Sequence, residues 1–181
     1  MAVKIIYFVH GTTTDNIGWL RGNLSEKGIE QSIKLREQIN LNEIDLVISS
    51  DLKRAMDSAK YTFKDSKVIL HDKRLRECNY GDLNGADTSL VKYEEHIDSK
   101  FPNGESLKEV EKRLRNFCEY LLESYNGKTI ALVSHKAPQL ALEVITKNIS
   151  WKDAIDNDWR KTKNWQPGWR YEIRRIEKET K

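Results

Sequence analysis

The chain has 181 residues, of which 38% are hydrophobic and 33% charged, values typical of a globular protein and not of a disordered or fibrous one. Its 31 basic and 28 acidic residues leave a net charge of +3, and the basic residues are spread along the chain, which argues against a nucleic-acid partner. Cys78 and Cys118 lie far apart, which excludes a disulfide framework and gives no spacing typical of structural zinc.

The N-terminal apolar run is too short for a signal peptide, and polar residues follow it at once. No other window approaches the length of a membrane span. We therefore expect a cytoplasmic protein without membrane contact, folded as a single domain over residues 1–181.

Three segments share one pattern, in which a short run rich in β-branched residues is followed by polar residues and then by a helix. These strands are Lys4–Val9 before His10, Leu46–Ser50 before Asp51, and Thr129–Val133 before Ser134. Nearly continuous apolar strands are typical of a parallel sheet that is buried on both faces. Lys67–Leu70 is a shorter candidate strand, and Trp169–Ile173 alternates as a half-exposed edge strand does.

Helices are predicted between these strands. Ser25 is a candidate N-cap for a helix that carries Ile29, Ile33, Leu35 and Ile39. A second helix is predicted over Glu105–Tyr125, where apolar residues recur at steps of three and four. The irregular stretch Asn79–Pro102 is expected to hold a loop and a short helix. Alternating strands and helices predict an α/β fold: a three-layer α/β/α sandwich with a mostly parallel central sheet.

The predicted sheet places several polar side chains at one edge. In an open α/β sheet, ligands bind beyond the carboxyl ends of the strands, which selects His10, the segment from Ser50 to Arg54, and His135. Two imidazoles and a guanidinium form a good anion site, to which helix N-termini would add N–H donors. The sequence has no P-loop, GxGxxG or GxSxG motif and no carboxylate cluster suited to magnesium. We therefore predict a phosphate site that needs neither a metal nor a cofactor.

Six motifs in order along nearly the whole chain resemble those of the histidine phosphatase (phosphoglycerate mutase-like) superfamily. They are His10-Gly11-x-Thr13-x-x-Asn16, residues 24–31, Ser49–Ala55, Leu75-Arg76-Glu77 with residues 80–85, Asn103–Ser106, and Val133-Ser134-His135. The resemblance implies that this chain hydrolyses the phosphate monoester of a small metabolite.

The resemblance also implies a role for each polar residue of the site. His10 would be the phosphorylated nucleophile, Arg54 a phosphate ligand, His135 the second histidine of the pocket and Glu77 the general acid. A neutral imidazole is a good nucleophile near pH 7, and phosphoryl transfer depends mainly on positioning and electrostatic stabilisation. Contacts to the substrate are expected from Gly11, Thr13, Asn16, Arg21 and Lys136, although Thr13 and Asn16 also suit a purely structural turn.

One position departs from the family pattern, since Val9 stands where the family has an arginine directly before the nucleophile. Losing a comparable preorganised donor costs about 3–4 kcal/mol of transition-state stabilisation. In one explanation Lys136, where the family usually has glycine, restores the charge, with Arg21 as a second candidate; a Lys136 that points to water is the alternative. In the other, the chain is a phosphoester-binding or regulatory module with weakened chemistry.

Two further expectations concern the substrate and the C-terminal region. Few residues lie between Glu77 and the predicted helix from Glu105 to build a cap, which favours a phosphatase over a mutase. The segment Asp158–Trp169 holds three tryptophans interleaved with cations. These could stack on a substrate at the rim of the site, or pack on the domain, or form a homodimer contact.

Overall fold

The computed structural model describes residues 1–14 and 18–175, which form five strands and six α-helices. The strands are β1 (Ala2–Val9), β2 (Leu46–Ser49), β3 (Ile69–His71), β4 (Thr129–Ser134) and β5 (Trp169–Arg174). The helices are α1 (Glu26–Gln38), α2 (Lys53–Phe63), α3 (Leu107–Ser124), α4 (Lys136–Lys147), α5 (Trp151–Asp156) and α6 (Trp159–Thr162).

The strands form one mostly parallel sheet in the order β3-β2-β4-β1-β5. β1 pairs parallel with β4, and β2 pairs parallel with both β3 and β4. Only β5 runs antiparallel among these strands, on the edge beside β1, and its residues alternate between buried and exposed. Its predicted role as a half-exposed edge strand is confirmed.

Helices cover both faces of the sheet. On one face, α2 packs on the sheet through Ala55, Ala59 and Phe63, with Ile6 and Phe8 of β1 beneath it. On the other face, α3 and α4 contribute buried leucines to a larger core that includes Tyr7. The expected three-layer α/β/α sandwich is therefore confirmed. Within the described residues, no helix is long and apolar enough to cross a membrane.

The predicted helix signals have clear local causes. Ser25 caps α1 by accepting a hydrogen bond from the Gly28 N–H at 3.1 Å. Ser106 and Glu109 form a reciprocal capping box at the start of α3, and the predicted apolar stripe of that helix is buried. In both helices the cap fixes where the helix begins and therefore which residues turn toward the sheet.

Two details of the sequence prediction are corrected by the structure. Ile33, expected on the buried face of α1, is 43% exposed, while Gly28 and Ser32 are buried. The reason is close packing, since the Thr62 hydroxyl of α2 donates to the Ser32 carbonyl at 2.8 Å and only small residues fit there. The irregular stretch over 79–102 holds three short 3-10 turns and no α-helix.

Candidate active site

The candidate nucleophile His10 follows directly after β1, beside the carboxyl end of β4. Its N–H donates to the Ser134 carbonyl at 3.1 Å, which extends the parallel pairing by one residue. The ring Nδ1 lies 2.7 Å from the Gly11 carbonyl oxygen. A carbonyl oxygen can only accept, so Nδ1 carries the proton and Nε2 holds the free lone pair. Arg54 Nε donates toward that Nε2 at 3.3 Å.

The surroundings of His10 keep its imidazole neutral. Burial and, after it, the charge of Arg54 lower the pKa of His10 to about 3, against the opposing effect of the hydrogen bond to the Gly11 carbonyl. The charge of Arg160 is a smaller contribution in the same lowering direction. At neutral pH the ring therefore holds the form that a nucleophile requires.

Arg54 lies in the first turn of α2 and is only 3% exposed. Its Nη2 donates to the Gly18 carbonyl at 2.6 Å, which leaves Nη1 buried without a hydrogen-bond partner among the described residues. Burial lowers the pKa of Arg54, and the charge of Glu77 partly offsets this effect. A buried donor without a partner is costly, so Nη1 provides a place for an anion to bind.

His135 lies at the junction of β4 and α4 and is fully buried. Its ring centre is 4.9 Å from that of His10, and its Nε2 is 2.8 Å from the Ser50 hydroxyl at the end of β2. Burial holds the pKa of His135 well below its usual value, with the nearby His10 adding to the effect. The site therefore holds two neutral imidazoles side by side.

Glu77 is buried, and its carboxylate accepts four hydrogen bonds from the part of the chain that the structure describes. Oε1 accepts from the Cys78 N–H at 2.8 Å, the Ala137 N–H at 3.0 Å and the Tyr93 hydroxyl at 3.1 Å. Oε2 accepts from the Lys136 N–H at 3.2 Å. The N-terminus of α4, expected to serve a phosphate, thus holds the carboxylate of the predicted general acid.

The residues predicted to contact the substrate lie in different environments. Gly11 donates its N–H to the Ser58 hydroxyl at 2.9 Å, and Thr13 pairs with Leu24 in an isolated β-bridge. Arg21 is exposed, and Asn16 lies outside the described residues.

Lys136 lies on the Glu77 side of the site. Its Nζ is 4.5 Å from the centre of the Tyr93 ring and 3.7 Å from Asp158 Oδ2. Tyr93 donates to Glu77, and the Lys136 backbone N–H does the same. The ammonium is therefore paired with groups of the protein, and its side chain is 37% exposed.

A cavity of about 580 Å³ opens beside His10. Its wall includes Val9, Gly11, Thr13, Trp159 and Trp165. Among the described residues, no group of three or more His, Cys, Asp or Glu side chains is placed to hold a metal ion.

The tryptophans of the C-terminal segment divide between two of the expected roles. Trp159 stacks on Trp169 with ring centres 4.7 Å apart and donates to the Gln139 side chain at 3.0 Å, so both pack on the domain. Trp165 is 54% exposed and lies on the wall of the cavity beside His10.

Four residues of the site are not marked as functional by any sequence motif. Ser58 lies one helical turn after Arg54, a spacing that could have placed both on one face of α2. Tyr93, Asp158 and Arg160 come from distant segments and carry no motif of their own. Only the folded chain brings them near Glu77 and Lys136.

Comparison with known proteins identifies the family. The model of the histidine phosphatase superfamily (branch 1) matches residues 6–164. Phosphoserine phosphatase 1 of Hydrogenobacter thermophilus is 30% identical over 178 residues, with 86% of this chain and 83% of that protein covered. Glucosyl-3-phosphoglycerate phosphatase of Mycobacterium tuberculosis is 36% identical over 163 residues, with 87% and 67% covered.

Solved structures agree with the sequence comparison. The native structure of mycobacterial glucosyl-3-phosphoglycerate phosphatase superposes with a TM-score of 0.73 at 26% identity, covering 85% of this chain and 84% of that one. The resemblance stated from the six sequence motifs is thereby confirmed, and the chain belongs to the histidine phosphatase superfamily.

Proposed function

We propose that this protein is a phosphatase that hydrolyses a small phosphate monoester through a phosphohistidine on His10. The observation that carries the proposal is the state of the His10 ring, whose Nδ1 proton is committed to the Gly11 carbonyl while Nε2 lies 3.3 Å from Arg54 Nε. A nucleophilic lone pair beside a guanidinium is what attack on a phosphoryl group requires.

In the first step, Nε2 of His10 attacks phosphorus and the bond to the ester oxygen breaks. Arg54, through its unpartnered Nη1, binds a phosphoryl oxygen, and His135 donates to another when protonated at the free ring nitrogen. Glu77 supplies the proton that the leaving oxygen takes up. Its Oε2, which accepts one hydrogen bond from the described residues, is the oxygen that carries this proton.

In the second step, water attacks the phosphorus of the phosphohistidine and the P–N bond breaks. Glu77, now a carboxylate, takes the proton from the attacking water. Inorganic phosphate leaves, and His10 regains its lone pair at Nε2. Proton and charge are balanced because Glu77 gives one proton in the first step and recovers one in the second.

The substrate class follows from the relatives, which are named as phosphatases of phosphoserine and of glucosyl-3-phosphoglycerate. We propose a small phosphorylated metabolite of this kind. Of the predicted substrate contacts, Thr13 and Gly11 line the cavity beside His10. The contributions of Asn16, Arg21 and Lys136 to substrate binding stay predictions.

The test is a phosphatase assay on wild type and His10→Ala, with p-nitrophenyl phosphate, phosphoserine and glucosyl-3-phosphoglycerate as substrates. His71→Ala is the matched control, because His71 is an exposed histidine on β3. We expect activity in wild type and in the control and none in His10→Ala, together with an acid-labile, alkali-stable phosphoenzyme in rapid-quench samples.

The same assay separates the alternatives. Phosphate release that persists in His10→Ala would refute His10 as the nucleophile. A wild type that binds phosphate but hydrolyses none of the substrates would identify the protein as a binding module. That is the alternative raised by Val9 in place of the family's arginine. With 3-phosphoglycerate added as a fourth substrate, its isomerisation without phosphate release would identify a mutase.

A further inference from the structure

The side chain before the nucleophile points toward a defined face of the sheet. Side chains alternate along a strand, so Val9 shares its face with Tyr7, and both contribute to the core under α3 and α4. Trp159 of α6 packs against the same core. A cation that replaces the missing arginine must therefore reach the site from the face that α4 and α6 cover.

Arg160 is a cation on that face. Its guanidinium lies 4.4 Å from the centre of the Trp159 ring, and Trp159 lines the cavity beside His10 and Val9. Burial is the main cause of the lowered pKa of His10, and the charge of Arg160 contributes in the same direction. Burial raises the pKa of Tyr7, whose hydroxyl donates to the His135 carbonyl, and the charge of Arg160 opposes that rise. The charge of this guanidinium therefore acts on His10 and on Tyr7, which shares the face of Val9.

The Arg160 side chain is held in place by buried partners. Its Nη1 donates to Asp158 Oδ1 at 2.9 Å, and its Nη2 donates to Gln139 Oε1 at 3.2 Å. The Asp158 side chain is only 1% exposed, and Gln139 is 2% exposed. These two bonds leave further N–H donors of the guanidinium for an anion. A side chain fixed in this way needs little reorganisation when charge develops nearby.

Lys136 is less suited to the same task. It shares the Asp158 carboxylate with Arg160, but its Nζ is placed over Tyr93, on the Glu77 side of the site. An ammonium is also a point charge without the planar fork that matches two phosphoryl oxygens.

We propose that Arg160, anchored by Asp158 and Gln139, supplies the guanidinium that Val9 does not and binds the phosphoryl group opposite Arg54. This inference rests on the proposed phosphatase function and adds a substrate-binding residue from a different part of the chain. Arg54 then binds the phosphoryl group from α2, and Arg160 binds it from α6 across the sheet.

The test compares Arg160→Gln with Lys161→Gln, which removes a neighbouring cation of α6 that is half exposed. In Arg160→Gln we expect kcat/KM to fall about a hundred- to a thousandfold, with vanadate and inorganic phosphate binding weakened as well. Lys161→Gln should stay within about twofold of wild type. Lys136→Ala, measured beside them, should lose less than Arg160→Gln; a larger loss would return the role to Lys136 and overturn the proposal.

A second variant separates lost chemistry from lost stability, because Arg160 also pairs with the buried Asp158. Val9→Arg in the Arg160→Gln background restores a guanidinium on the same face without restoring the ion pair. We expect kcat/KM of this double variant to be at least tenfold higher than that of Arg160→Gln, while the melting temperature stays at that of Arg160→Gln. Unchanged kcat/KM and phosphate binding in Arg160→Gln would overturn the proposal.

If the proposed phosphatase function is wrong, wild type itself will be inactive, a result that differs from a loss of activity confined to Arg160→Gln. Calorimetric titration with inorganic phosphate would in that case decide the inference separately. Binding by wild type that is lost in Arg160→Gln would support an anion site built with Arg160. Equal binding by both proteins, or none by wild type, would overturn it.

Discussion

Among the described residues, the Glu77 carboxylate accepts from three donors at Oε1 and from one at Oε2. The three bonds at Oε1 fix the plane of the carboxyl group, and in the proposed mechanism Oε2 is the oxygen that exchanges a proton with the substrate. Sequence motifs predicted this residue, but nothing in the sequence distinguished its two oxygens. That distinction comes from Tyr93 and from the first N–H groups of α4, which the fold brings to Glu77.

A prediction at the residue scale concerns the leaving group. Glu77→Gln keeps an acceptor at this position but cannot deliver a proton, so we expect kcat to fall about a hundred- to ten-thousandfold with an alkyl phosphate such as phosphoserine. The loss should be clearly smaller with p-nitrophenyl phosphate, because a nitrophenolate leaves without protonation. Equal losses on both substrates, in steady-state assays of folded protein, would contradict the role of general acid.

At the scale of elements, the proposed nucleophile His10 is positioned by the contact between its loop and α1. A side chain on Gly28 would place Cβ 2.1 Å from the Thr12 carbonyl oxygen, and one on Gly11 would place it 2.4 Å from the Gly28 carbonyl oxygen. Backbone lies against backbone there, so both positions require glycine. The second sequence motif, residues 24–31, therefore serves the site through packing and not through chemistry.

The prediction at this scale is that Gly28→Ala destabilises the protein by about 1–3 kcal/mol, because neither backbone segment can move away without distortion. We expect kcat/KM to fall as well, since Thr12 is two residues from His10. Urea unfolding and phosphatase assays measure the two effects. Lys27→Ala, an exposed neighbour on the same helix, is the control and should change neither. A fully active and stable Gly28→Ala would show that the contact is adaptable.

At the scale of the whole molecule, folding is linked to the protonation of two imidazoles, the partly buried His10 and the fully buried His135. The pKa of His10 is about 3 in the folded protein and about 6.5 in an unfolded chain, and the pKa of His135 is lowered in the same direction. Between those two values the unfolded state binds more protons. The free energy of unfolding must therefore fall as the pH falls from about 6.5 toward 3.

The corresponding prediction compares the pH dependence of stability in wild type and His10→Asn. One histidine of this kind contributes a slope of at most about 1.4 kcal/mol per pH unit. Between pH 6 and pH 4 we expect the variant to lose stability less steeply than wild type by roughly 1 kcal/mol per unit, as measured by urea unfolding at each pH. Parallel curves for the two proteins would show that His10 is not held neutral by burial.

Local sequence was sufficient for much of the fold. Apolar runs with β-branched residues predicted the strands because burial on both faces leaves little other choice of side chain. Ser25 marked the start of α1 because its hydroxyl satisfies a free N–H group. The side of α1 that faces the core was predicted less well. Ile33 fits the apolar period, but small residues decide that contact, and their role depends on how closely α2 approaches.

The sequence by itself determined the family, the fold class and the strand ends that are followed by His10, by the segment from Ser50 to Arg54 and by His135, because these follow from motifs and periodicity within short segments. It also revealed the valine before His10. Only the tertiary structure decided which cations gather at the start of α4, where the contacts of Arg160 and Lys136 with Asp158 join that helix to α6. The physical reason is that periodicity is a property of short segments of sequence, whereas charges interact through space between residues that are far apart in the sequence.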